Sequence, residues 1–187
     1  SHLKSVAPET PFYDKALLYL GVLETKKKNY KESAFYFSKL GELTRGKRES
    51  YWLSELSRLN LARTHYSMGD MEKSIETYSQ FLSTSPHWLT ILLEASWPLM
   101  RANDTTVSLG NLHTMTSPYY REDLVGEAYL LRATILFSLC KYEEMRRTLG
   151  HFFTIYDPVI RAMQKETTSL GGSEAYYRAF TTDSMNR

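Results

Sequence analysis

The sequence is poor in the residues that punctuate sheet folds: of 187 residues, 6 are proline and 9 are glycine. Architectures of short strands joined by tight turns draw heavily on both. Strand-like alternation is also scarce, whereas apolar residues recur at helical spacing, so an all-α fold is expected. The one cysteine, Cys140, cannot form an internal disulfide and is read as a small apolar residue beside Leu139 and Tyr142. No uninterrupted apolar run approaches the ~20 residues needed to span a bilayer. The most apolar stretch, Ala128 to Leu139, is broken by Arg132, so no direct membrane insertion is expected. Neither sign of charge dominates, with 23 basic and 21 acidic residues, and nothing marks nucleic acid as a partner.

Constellations that carry chemistry are missing as well. The histidines, His2, His65, His87, His113 and His151, do not stand at metal-ligand spacing. Gly171-Gly172 lacks the lysine and hydroxyl residue of a phosphate loop. No serine sits in a nucleophile elbow, and Cys140 has no evident base. Glu143-Glu144 reads as a solvated helix surface. The run Lys26-Lys27-Lys28 ends a predicted helix, where cations complement its dipole. The chain is therefore read as not an enzyme, with no metal and no cofactor.

What the sequence does contain is aromatic bulk, 14 Tyr, 8 Phe and 3 Trp, set in a repeating pattern. Four polar breaks share one rhythm: Lys28–Ser33, Gly69–Ser74, Asn103–Ser108 and Cys140–Met145. Their markers Tyr30, Met71, Thr105 and Tyr142 are 41, 34 and 37 residues apart. A helix–turn–helix repeat has a period of about 34. The eighth position of each unit is small: Gly21, Ala62, Ser96 and Ala133. The twentieth holds Ser33, Ser74, Ser108 and Met145. Large residues follow at Phe37, Tyr78, Leu112 and Leu149, then at Leu40, Phe81, Met115 and Phe152. Small residues at a helix crossing with large ones beside it suit ridges packed into grooves. Asn29, Asp70 and Asp104 are placed as N-caps, and Asn29 with Glu32 as a capping box. Prolines in Ser85-Pro86, Ser117-Pro118 and Asp157-Pro158 mark the unit junctions.

Over residues 14–158 this pattern resembles the tetratricopeptide repeat family, with departures at Arg58, Arg132 and Met145. The resemblance implies a right-handed α-α superhelix of about four helix pairs, near 14–47, 55–88, 89–122 and 126–159. An N-terminal extension over 1–13, with Ser1-His2 as a tag remnant, would precede them. Capping helices over 159–187 would follow: a helix from Val159 to Thr167, a Gly171-Gly172 hinge, and a further unit bearing Tyr176, Tyr177 and Phe180. This tail suggests a piece of a longer protein. Residues 85–158 are also similar to bacterial multi-repeat proteins. The likeness rests on Glu94-Ala95-Ser96-Trp97, Leu109–Thr114 and Ser117-Pro118-Tyr119-Tyr120, and it implies a periplasmic or envelope-associated setting, with the cytoplasm as the alternative.

The family's use of first helices as a concave binding face implies a site for a protein or peptide partner. The alignment places Leu18 and Val22 there, then Leu59, Arg63 and Tyr66, then Leu93, Trp97 and Met100, then Leu130, Thr134 and Phe137. Such an apolar and aromatic groove suits an amphipathic helix or extended peptide. The polar clamp by which some family members hold peptide C-termini is replaced here by mostly apolar residues. Filling of the groove by the chain's own C-terminal segment, self-association, and a regulatory part in a larger enzyme or envelope complex stand as alternatives. Two local expectations complete the reading. Pro98 should kink the helix that contains it. Gly46–Glu49 should be a solvated connector or an extra turn.

Overall fold

A computed structural model describes residues 2–123, 125–169 and 171–185. Ser1 lies outside the described residues, as do the side chains of Tyr176 and Phe180. Among the described residues the chain is all-α, with no strand, and its helices pack in consecutive pairs. It divides into two compact units, Ser1–Arg121 and Glu122–Arg187.

The first unit holds three helix pairs: α1 (Tyr13–Lys26) with α2 (Tyr30–Thr44), α3 (Tyr51–Met68) with α4 (Met71–Ser79), and α5 (Trp88–Arg101) with α6 (Thr105–Met115). The second holds α7 (Gly126–Ser138), α8 (Tyr142–Ser169) and α9 (Ser173–Met185). The Gly46–Glu49 insertion becomes a loop running into a 3-10 turn, Arg48–Ser50, that leads directly into the long α3.

All four polar breaks fold into the same turn. The residues at its second position are left-handed: Lys28 (φ 62), Gly69 (φ 82), Asn103 (φ 65) and Cys140 (φ 58). The following amide reaches back five residues, from Asn29 to the Glu24 carbonyl, Asp70 to His65, Asp104 to Leu99 and Lys141 to Leu136, at 2.9–3.0 Å. A second bond spans three residues, as from Gly69 to Tyr66 at 3.0 Å. These are Schellman closures, which satisfy the last helical carbonyls and reverse the chain in two residues. Asp70 and Asp104 then cap the next helix by accepting from the amides of Lys73 and Val107. Asn29 does not: its side-chain amide donates to Glu24 Oε2 at 2.8 Å, so the expected cap and capping box are absent there. The buried Glu24 carboxylate, also met by Lys27, holds the Asn29 side chain by its NH2 group, and the Asn29 oxygen makes no cap to the helix end.

Within each pair of the first unit the small positions meet. Ser33 Oγ donates to the Gly21 carbonyl, Ser74 to Ala62 and Ser108 to Ser96, at 2.9–3.0 Å. All three serines are fully buried, so the hydroxyl must find a partner, and the facing carbonyl supplies it. A Cβ built at Gly21 would lie 2.5 Å from the buried Phe37 ring, which is why the first crossing needs glycine. In the second unit Met145 replaces the serine and is half-buried.

Of two prolines that lie inside helices, Pro158 acts differently from expectation. Pro98 is buried inside α5, and Pro158 sits inside α8, which runs on to Ser169. The separate capping helix from Val159 is therefore corrected: it is the continuation of α8. The apolar line Leu149, Phe152, Tyr156 proceeds at three- and four-residue steps to Val159 and Met163. One helix keeps that line on a single face across the missing hydrogen bond. Between α8 and α9, Gly171 (φ 83) and Gly172 (φ 125) are two positive-φ positions that favour glycine.

Candidate partner-binding face

The nine residues proposed from sequence divide between the units. Leu59, Arg63, Tyr66, Leu93, Trp97 and Met100 lie on α3 and α5 of the first; Leu130, Thr134 and Phe137 lie on α7 of the second. Each set is a feature of its own unit.

Leu59 is a correction. It is 2% exposed and belongs to a core cluster with Ala62, Tyr78, Phe81, Ile91, Ala95 and Leu99. Side chains of α5, with Tyr78 of α4 and Phe81 just past it, close over it, so its side chain is spent on packing one pair against the next. The other five residues of the first unit remain partly or fully accessible, with Tyr66, Leu93, Trp97 and Met100 half-buried and Arg63 exposed.

Arg63 is not a free cation. Its Nε and Nη2 donate to the two oxygens of Glu94 at 2.8 and 2.6 Å, a forked pair between α3 and α5. The hydrogen bond to Glu94 is the main reason that the guanidinium is held above its ordinary range. The buried Tyr78 hydroxyl donates to the same carboxylate at 2.9 Å. Burial first, and then the neighbouring Glu94 charge, push that phenol well above its usual range, so it stays a neutral donor. One turn along, the Arg101 guanidinium lies 5.2 Å over the Tyr66 ring. Glu94, Tyr78 and Arg101 were missed in the sequence reading. The available signal was period: Glu94 follows Arg63 by 31 residues, close to one repeat.

The face is thus a partly apolar platform: Arg63 and Glu94 are paired across α3 and α5, Arg101 covers Tyr66, and Leu93, Trp97 and Met100 are half-buried beside them. In the second unit Leu130 and Phe137 are 50% and 60% exposed, and Phe137 meets Tyr142 edge-on at 5.8 Å. Thr134 turns its hydroxyl back to the Leu130 carbonyl. Cys140 is exposed at the turn instead of packing as an apolar residue, because its left-handed backbone turns it to the surface.

Residues 57–87, from within α3 through α4 to the start of α5, match the family model for the tetratricopeptide repeat. The chain carries a tetratricopeptide repeat. A comparison with curated proteins finds no match. The matched repeat holds the Gly69 turn, the Asp70 cap and the Ser74 bond to Ala62, and the other helix pair of the same unit on either side repeats the turn and the bond. Tetratricopeptide repeats serve in general as non-catalytic scaffolds for protein–protein interaction. Among the described residues no group of three or more His, Cys, Asp or Glu is placed to hold a metal, and no helix is long and apolar enough to cross a membrane.

Proposed function

We propose that the chain is a protein-binding scaffold that receives an amphipathic helix or extended apolar peptide of a partner on the first-helix face of α3 and α5. The observation that carries this reading is the platform itself. Arg63 and Glu94 neutralise one another and brace Tyr78, while Tyr66, Leu93, Trp97 and Met100 stay accessible beside them. An aromatic and apolar surface braced by an ion pair favours an apolar ligand, since little ordering is needed on binding. In the second unit, Leu130, Thr134 and Phe137 are proposed as a further contact surface. The likeness of residues 85–158 to envelope-associated repeat proteins supports a partner in the bacterial cell envelope.

A photo-reactive side chain installed at Met100 tests this in the native lysate, with Leu82, 70% exposed and away from the face, as control. The expected outcome is a discrete crosslinked protein from Met100, absent from Leu82, and lost when Trp97→Ala is added to a chain whose circular dichroism is unchanged. Equal crosslinking from both positions would reject the face.

A second reading, self-association, rests on α8. Phe153, Ile160 and Met163 are 54%, 45% and 50% exposed at seven- and three-residue spacing along one helix. Sedimentation equilibrium over a hundredfold concentration range decides it: a rise in mass that Ile160→Asp abolishes supports self-association, and constant mass excludes it.

A further inference from the structure

The α3–α5 face carries a planar cation whose chemistry the fold only half uses. Arg101, the last residue of α5, lies with its guanidinium 5.2 Å over the Tyr66 ring. It is exposed, and it makes no side-chain hydrogen bond or ion pair among the described residues. Arg63 differs, since Glu94 holds its fork. A guanidinium has two flat sides. Tyr66 takes one side of Arg101, and the other faces outward, one helical turn beyond Trp97.

Charge does not choose what meets that side. Asp104 follows Arg101 by three residues and caps α6. With Glu94 it sets two carboxylates against the two guanidiniums of this edge, so no excess of positive charge is left to draw an acid. The neighbouring side chains choose instead. Flat guanidinium groups bind the faces of rings. Methionine sulfur packs against ring edges. Rings meet rings edge-on or offset. Arg101, Met100 and Tyr66 supply one of each on this face. A leucine placed here gains burial alone, whereas an aromatic side chain gains burial together with these contacts.

We propose that the partner segment received on the α3–α5 face carries an aromatic side chain, which packs on the outer side of Arg101 and beside Met100, so that the guanidinium is held between two rings. The proposal rests on the α3–α5 reading and sharpens it: Arg101 sets a preference for a ring over an aliphatic side chain of the same size.

The test is NMR of the whole chain, reading the Met100 methyl group and the Arg101 Nε–H. The probes are the capped tripeptide Ac-Leu-Phe-Leu-NH2, its cyclohexylalanine counterpart and Ac-Leu-Glu-Leu-NH2, at matched ionic strength. Cyclohexylalanine has nearly the shape of phenylalanine and is the more apolar, so burial alone would favour it. The phenylalanine peptide is expected to give saturable shifts at both groups, and the cyclohexylalanine peptide to bind at least about threefold more weakly. Arg101→Met should erase that preference and leave the cyclohexylalanine affinity unchanged, whereas the exposed Arg48→Gln should leave both as they are. Should Arg101→Met disturb the spectrum at large, Arg101→Lys, which keeps the charge and loses the plane, is expected to narrow the preference. Equal or tighter binding of the cyclohexylalanine peptide overturns the proposal, as does a preference that survives Arg101→Met, or the absence of saturable shifts at Met100 and Arg101. Tighter binding of both apolar peptides to Arg101→Met overturns it by making Arg101 a lid over Tyr66, and tighter binding of the glutamate peptide overturns the aromatic assignment. Crosslinking from Met100 in the lysate does not depend on which side chain the partner presents, so the aromatic preference can fail while the α3–α5 face stands.

Discussion

The three helix pairs of the first unit and the pair α7–α8 of the second reverse direction through the same left-handed turn, yet they are held together differently. In the first three pairs a buried serine is bonded to the opposite backbone, and the large residues behind it are sealed: Phe37, Tyr78, Leu112, Leu40, Phe81 and Met115 are all buried. In the fourth, Met145 takes the serine's place, and Leu149 and Phe152 are only half-buried. An aromatic stack stands in for the bond. Phe152 and Tyr156 lie 4.6 Å apart and nearly parallel, with Tyr129 beside them. Turn and lock are therefore separable. The turn depends on backbone geometry alone, whereas the lock depends on how closely two backbones approach, which a methionine prevents.

The sharpest way to break this comparison is to empty the same position in both architectures. Leu112→Ala, at a fully buried site, should cost about 3 kcal/mol, within the usual range for core leucines. The equivalent Leu149→Ala should cost less than about 2 kcal/mol, because water already reaches that side chain. Urea unfolding of both variants measures this, and equal losses would mean that the fourth pair is sealed like the others. Next in size is the lock: Ser33→Ala, Ser74→Ala and Ser108→Ala should each lower stability by about 1 kcal/mol, the net value of a buried hydrogen bond.

The turn should respond with similar magnitude and both signs. Cys140→Gly and Lys28→Gly should each stabilise by about 1 kcal/mol, because each relieves an L side chain in left-handed backbone. Gly69→Ala should destabilise by about the same amount, and Asn103→Gly should change stability least, since asparagine tolerates this conformation. Thermal unfolding of the four variants tests whether the turns are equivalent. The smallest effect concerns acid. Burial holds His65 below its ordinary value of 6.5, so the unfolded chain binds this proton more readily. Stability should be complete above pH 6.5 and decline as the pH falls below it. His65→Leu should remove that slope in pH-dependent melting; an unchanged slope would assign it to another group.

The fold was legible because it rests on side-chain size. Rows of small residues at Gly21, Ala62, Ser96 and Ala133 can be read without knowing what they touch. The site was less legible because its contacts join different repeats. Nothing near Arg63 in the chain announces Glu94, and nothing near Leu59 shows that Ile91 and Leu99 will bury it. Local rules misled where a neighbour outbid them: Asn29 suits a cap until Glu24 claims its amide. Pro158 suits a boundary until the apolar line on both sides of it holds α8 together.

The serine-to-carbonyl bond joins residues 12 apart within one pair, although the Ser33 hydroxyl also lies 3.4 Å from that of Thr64 in the next. Each pair thus carries its own fastening. A gene segment that copied one pair, or deleted one, would leave the fastenings of the remaining pairs intact. Such a chain can lengthen or shorten by whole pairs over evolutionary time, while the surface charges that join neighbours, such as Arg63 with Glu94, are rewritten at each new junction.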